Sequence, residues 1–182
     1  MISSNKYCIF LFRILFLPAL ILFMTSCENN PKQEKKSLED INEQLTNMNK
    51  KNVAVESKEI DEFIARHFFK THKTGTGLRY QIYYNGKGKL PVDHDTVTIN
   101  YKVYLFDGTL CYTTDTTGPV KFILGIGEQI KGLEEGVLLM ASGDKARLIV
   151  PSHLGYGMQG DMNKVPPSSP LFYDVELLNI SQ

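Results

Sequence analysis

Two glycine-punctuated stretches and a Pro-Pro stretch near the C-terminus constrain this chain most. Between Gly125 and Leu178 it reads GIGEQIKGLEEGVLLM, then DKARLIVPSHLGYG, then VPPSSPLFYDVELL. The first places Ile130, Leu133, Val137 and Met140 on one face of a short helix between Gln129 and Met140. The second and third hold apolar runs at Lys145–Val150 and Leu171–Ile180, which read as strands. A helix this short, enclosed by strands, must bury its one apolar face against a sheet, because neither element can hide its apolar surface alone.

The same reading extends upstream. From Leu78 the period is two: Leu78, Tyr80, Ile82 and Tyr84 alternate with polar residues, as in a half-buried strand. Asn85–Gly88 is a turn. Val97, Ile99, Tyr101, Val103 and Leu105 alternate as a second strand. Asp107-Gly108 then makes a hairpin turn, since glycine accepts the positive φ such turns require. Thr109–Thr113 returns as the partner strand, and Val120–Leu124 forms another. Strands dominate around one central helix. The predicted class is α+β, an antiparallel sheet wrapped around a short helix, with a helical extension before it.

In that extension Ser37 is placed to cap a helix, with Asp40 three residues on. Leu38, Ile41, Leu45 and Met48 follow at helical spacing on a narrow stripe, which suits a small dimerisation helix or a stalk. Asn49–Asn52 interrupts the pattern. Ser57 is expected to cap a second helix through Phe69, with Ile60, Phe63, Ile64 and Phe68 as its packing face. Further upstream, Lys6 and Arg13 precede an apolar run from Ile14 to Met24, the pattern of a signal-peptide core. The run falls short of the roughly 20 residues a membrane-spanning helix needs. Met24-Thr25-Ser26-Cys27 resembles a bacterial lipoprotein cleavage site, with Cys27 becoming the lipidated first residue; an ordinary secretory signal is the alternative. The expected organisation is a signal peptide over 1–26, a lipidated tether over 27–36, a helical extension over 37–77 and a globular domain over 78–182. The expected location is the bacterial cell envelope, lipid-anchored in the periplasm or at the outer membrane.

Composition excludes several classes of function. Lys and Arg total 20 and Asp and Glu total 20, so no electrostatic footprint for nucleic acid exists. The histidines at 67, 72, 94 and 153 do not cluster by spacing, and no metal site is expected. Gly125-Ile126-Gly127 precedes a helix, but Ile130 stands where a nucleotide loop has its third glycine. With Cys8 in the signal and Cys27 lipidated, only Cys111 remains, so no intramolecular disulfide is expected. Cys111 is either a buried small hydrophobe or a reactive thiol.

The ordered motifs from Leu78 to Leu178 resemble the FKBP family of peptidyl-prolyl isomerases. The resemblance implies catalysis without cofactor or metal, on prolyl-containing polypeptides. It also implies the pocket. Tyr101 points inward from the second strand, and Phe122 lies on the strand after Pro119. Ile130 begins the helix and offers its backbone N–H to a substrate carbonyl, with Leu133 as the floor one turn later. Tyr156, between Gly155 and Gly157, offers its hydroxyl to another carbonyl. Val165 precedes Pro166-Pro167, and Tyr173 faces in from the last strand.

This chain departs from the family at several of these places. Cys111-Tyr112 stands where the family has a Phe-Asp pair, so the aspartate aimed at substrate is absent. Val120 replaces a second pocket phenylalanine, Leu133 a tryptophan, Gln129 an aliphatic residue and Tyr173 a phenylalanine. Burying one aromatic side chain is worth about 1.5–3 kcal/mol. Loss of two aromatic walls therefore lowers prolyl-peptide affinity by about tenfold or more, and macrolide binding with it. Tyr112 is the candidate to restore part of the wall. Two functions follow: an isomerase acting on exported proteins, or a catalytically weak or silent proline-peptide-binding module of a membrane-anchored assembly. With FDGTLCYTT and the polar segment after Cys27, the chain is also similar to isomerase-type lipoproteins associated with bacterial gliding motility.

Overall fold

A computed structural model describes residues 31–181. The expected signal peptide and Cys27 lie outside the described residues. The chain divides between Asn49 and Lys50 into two compact units.

One helix, α1, runs through Pro31–Arg66. It corrects two expectations. Residues 31–36, taken as tether, are helical, and Pro31 occupies the first helical position, where its missing N–H is harmless. The expected interruption at Asn49–Asn52 does not occur. That segment holds no Gly or Pro, and an asparagine disfavours helix by only about 0.7 kcal/mol. Ser57 therefore caps nothing; its hydroxyl accepts from Arg79 Nη2 at 3.1 Å. In the first unit, Leu38, Ile41, Leu45 and Met48 lie exposed along the helix. The helix ends where Phe68 takes φ 55°, which throws its ring outward to 91% exposure. Phe68 is thus not part of the packed stripe. Phe69, whose N–H returns to Ile64 O at 3.1 Å, packs with Phe63 instead.

The second unit is a seven-stranded antiparallel sheet. Its strands are β1 (His72–Lys73), β2 (Arg79–Tyr84), β3 (Thr96–Tyr104), β4 (Leu110–Thr113), β5 (Val120–Ile123), β6 (Lys145–Val150) and β7 (Leu171–Ser181). The spatial order is β1-β2-β6-β7-β3-β4, with β5 also paired to β3. The β3–β4 hairpin turns at Asp107-Gly108: Gly108 has φ 90° and its N–H reaches Leu105 O at 3.0 Å. Along β3 the apolar alternation buries Val97, Ile99 and Val103 on one face. On β7, Tyr173, Val175 and Leu177 share that face. The register with β3 then slips by one residue: Thr98 pairs with Asn179 and Ile99 with Leu177. Leu178 is left as the unpaired residue of a bulge, and Ile180 turns back to the core opposite Val97.

The second helix, α2 (Lys131–Leu138), lies against β6 through two glycines one turn apart. A Cβ on Gly132 would sit 2.4 Å from Val150 Cγ1, and one on Gly136 would sit 2.3 Å from Leu148 Cδ1. The glycines are what allow this approach. It drives Leu133 and Val137 into the core beside Leu148 and Val150. No described helix is long and apolar enough to cross a membrane.

Candidate active site

The nine predicted pocket residues, contributed by four strands, α2 and two loops, meet in one apolar cluster. Phe122, Leu133, Val165 and Tyr173 are its buried members; Tyr101, Tyr112, Val120, Ile130 and Tyr156 pack against them while staying partly open. Four of the nine are thus packed into the domain core and five stay partly exposed beside it. The same cluster takes in Cys111, 1% exposed, whose thiol is pushed up by burial. That environment makes Cys111 a small core residue rather than a nucleophile.

Each rim group is held by its element. Tyr101 sits on β3, where its N–H donates to Thr114 Oγ1 at 3.0 Å and its carbonyl accepts from Thr114 N–H at 3.0 Å. Its ring centroid lies 5.9 Å from that of Tyr173. Ile130 is the residue before α2, with extended ψ 145°, and its carbonyl accepts from the N–H groups of Leu133 and Glu134. Among the described residues none accepts from the Ile130 N–H, the kind of donor a helix start leaves free. Tyr156 joins two short 3-10 turns, Ser152–Leu154 and Gly157–Gln159. The first is tied to α1: Glu56 accepts from Ser152 N–H at 2.5 Å and from its hydroxyl at 3.0 Å.

Burial, chiefly, raises the phenols of Tyr101, Tyr156 and Tyr173 above their ordinary value, Tyr173 well above. The charge of Asp161 adds to the rise at Tyr156, and Tyr156 itself adds to the rise at Tyr173. All three remain neutral hydroxyls at physiological pH. The candidate residues therefore combine buried apolar side chains with neutral tyrosine hydroxyls. Among the described residues no group of three His, Cys, Asp or Glu is placed to hold a metal ion.

Tyr112 behaves differently from the expected apolar wall. Its hydroxyl donates to Asp161 Oδ2, and this bond, ahead of burial, pushes its pKa up to about 12. Sequence reasoning missed Asp161. The signal was present but local: an Asp after Gly160 in a polar loop, within reach of several following N–H groups.

Residues 87–178 match the family model for FKBP-type peptidyl-prolyl cis-trans isomerase. The chain belongs to this family. Among relatives, the FKBP-type peptidyl-prolyl cis-trans isomerase FkpA of Escherichia coli (strain K12) is 42% identical over 109 residues, 59% of this chain and 39% of that protein. A probable FKBP-type peptidyl-prolyl cis-trans isomerase of Haemophilus influenzae is 35% identical over 159 residues, 82% of this chain and 65% of that one. The chain thus spans well under half the length of the first and about two thirds of the second. Among solved structures, the N-terminal domain of FKBP42 from Arabidopsis thaliana superposes with a TM-score of 0.59 at 26% identity, over 63% of this chain and 94% of that one. Within the FKBP frame, the departure at Tyr112 gains a counterpart. Tyr112, after the β3–β4 turn, has an acidic neighbour, Asp161, supplied from the 160–165 loop.

Proposed function

We propose that this FKBP accelerates cis–trans interconversion of X–Pro bonds in exported polypeptides. The uncatalysed rotation faces a barrier of about 18–20 kcal/mol because amide resonance is lost on twisting. Twisting makes the carbonyl less polar and the nitrogen more pyramidal. An apolar pocket therefore favours the twisted imide over the flat, polar ground state, which is differential binding with no covalent step. Phe122, Leu133, Val165 and Tyr173 form the base that receives the pyrrolidine ring, with Tyr101, Tyr112 and Val120 around it. The Ile130 N–H and the Tyr156 hydroxyl hold flanking carbonyls. One observation supports the reading: the nine residues belong to one core cluster, four of them buried and five partly exposed.

The test is the refolding of a proline-limited protein with catalytic amounts of the chain. Acceleration that falls sharply in the Tyr101→Phe, Tyr156→Phe double variant is expected. A refolding rate equal to buffer ends the proposal.

A second reading rests on the departures from the family pattern at Cys111, Tyr112, Val120 and Leu133. On that reading the chain is a proline-peptide-binding module of a membrane-anchored assembly, with affinity that survives Tyr156→Phe and no turnover. Normal turnover removes it. The signal over 1–26, the Cys27 lipid anchor, a short tether before α1, the helical extension to 77 and the domain from 78 complete the proposal. They put the protein in the bacterial envelope, on the model of lipoproteins linked to gliding motility. The exposed stripe of Leu38, Ile41, Leu45 and Met48 supports weak self-association of the extension. Mass analysis of the intact chain purified from its membrane tests the anchor at Cys27.

A further inference from the structure

The loop after Tyr156 closes on itself around one carboxylate. Asp161 Oδ1 accepts three backbone N–H groups, from Asn163 at 2.9 Å, Lys164 at 2.9 Å and Val165 at 2.7 Å. The Asp161 N–H in turn reaches Val165 O at 3.1 Å. Gly160 makes the closure possible: it has φ 68°, and a Cβ there would sit 2.2 Å from Val165 O. The other oxygen of the carboxylate faces β4, where Tyr112 donates to it. A second tie runs in parallel. Lys164 Nζ donates to Cys111 O at 2.8 Å and stands 5.1 Å over the Tyr112 ring. The Tyr112 ring is thus held between an anion at its hydroxyl and a cation at its face. The residue these ties carry inward is Val165, 3% exposed and part of the pocket base.

We propose that Tyr112 and Asp161 are positioning residues, a polar clasp between β4 and the 160–165 loop that fixes the Val165 wall and so sets affinity for prolyl peptides. This rests on the function proposed above. The clasp acts through Val165: the Tyr112 ring keeps its place in the proposed wall, while its hydroxyl is committed to Asp161 and acts on the loop. A carboxylate accepting from four donors is bonded on both oxygens, which leaves it little capacity for a peptide. Burial pulls the Asp161 carboxyl up, but the Tyr112 hydroxyl and the backbone N–H groups outweigh it and hold it below the usual value. The clasp is therefore intact above the ordinary aspartate range of about pH 4 and is lost as pH falls through the lowered value.

The experiment uses the full chain and two readouts. The first is amide hydrogen exchange of Asn163, Lys164 and Val165 in the free protein, which does not depend on activity. In Tyr112→Phe, which keeps the ring, exchange at these amides should rise about tenfold or more while β6 and β7 amides stay unchanged. The second is steady-state isomerisation of a prolyl peptide. Tyr112→Phe should raise KM several-fold and leave kcat within about twofold. Asp161→Ala should do at least as much, and the double variant should be no worse than Asp161→Ala alone, because both break one clasp. Unchanged exchange in Tyr112→Phe, or losses that multiply in the double variant, would overturn the proposal. If the parent chain shows no turnover, the function fails, and the exchange readout still decides whether the clasp exists.

Discussion

Adjacent residue pairs on β6 and β7 serve opposite sides of the same sheet. Leu148 pairs with Tyr173 on the side of α2 and the pocket; one step along, Ile149 pairs with Phe172 on the other side. The second side is covered by the C-terminal half of α1. Phe63 stacks on Phe106 at 4.0 Å and approaches Phe172 at 5.7 Å, and Ile60 and Ile149 are buried with them. Its polar edge is fully bonded. Arg79, 5% exposed, donates to Gly77 O at 2.6 Å, Ser57 Oγ at 3.1 Å and Asp61 Oδ1 at 2.9 Å, and Arg147 lies 4.7 Å over the Phe69 ring. On the α2 side, Tyr173 is buried while Tyr101 and Tyr156 pack against the core and stay partly open. The same residue class occurs in two settings: stacked and covered it holds the fold, half-open it lines the proposed pocket.

If that division is right, the largest stability loss belongs to the covered side. Phe63→Ala should lower unfolding free energy by about 3–5 kcal/mol in urea titration, with turnover per folded molecule within about twofold. A loss below about 1 kcal/mol would show that α1 is ornamental to the sheet.

The boundary between the two jobs is α2. Gly136→Ala forces a Cβ against Leu148 Cδ1 and should destabilise by about 1–3 kcal/mol. Because the helix also positions Leu133 and the Ile130 N–H, this variant should lose activity and stability together. Stability loss with unchanged kcat/KM would mean the pocket does not depend on the helix seat.

Mainly functional effects come last. Tyr156→Phe removes one neutral hydrogen bond, worth about 0.5–1.5 kcal/mol. It should lower kcat/KM by about twofold to tenfold, with at most a small fall in the urea midpoint from the lost Tyr173 partner. Smallest of all is the pH response. Burial raises the Tyr101 and Tyr156 phenols, so their protonated, donating forms persist past the ordinary titration point. The rate should therefore stay flat between about pH 6 and 9, with any decline only above the ordinary tyrosine range. A bell centred near neutrality would point to a titrating group that these tyrosines do not provide.

Regular periodicity made much of this legible. The alternation in β3 and the Asp107-Gly108 turn located the hairpin, and the Ile130, Leu133, Val137 spacing located α2. The features that escaped are those in which one residue breaks a period. Leu178 flips the parity of β7 through a bulge, so Ile180 returns to the core out of step with Leu177. Phe68 looks like the next residue of an apolar stripe, yet its positive φ ends the helix and hands the packing role to Phe69. The asparagines near position 50 look like a stop, but helix propensity is too weak to end a long helix without Gly or Pro. In the site, the motifs name candidate pocket residues by their apolar identity, and these share one core cluster. Asp161 could not be named this way, because its partner Tyr112 is 49 residues away and only the fold brings them together.

The most direct measurement is two-dimensional exchange spectroscopy of a prolyl peptide with catalytic amounts of the chain, in light and heavy water. A pocket that works by favouring the twisted imide should raise the cis–trans exchange rate above buffer by a similar factor in both solvents. No acceleration, or acceleration that falls several-fold in heavy water, would contradict it.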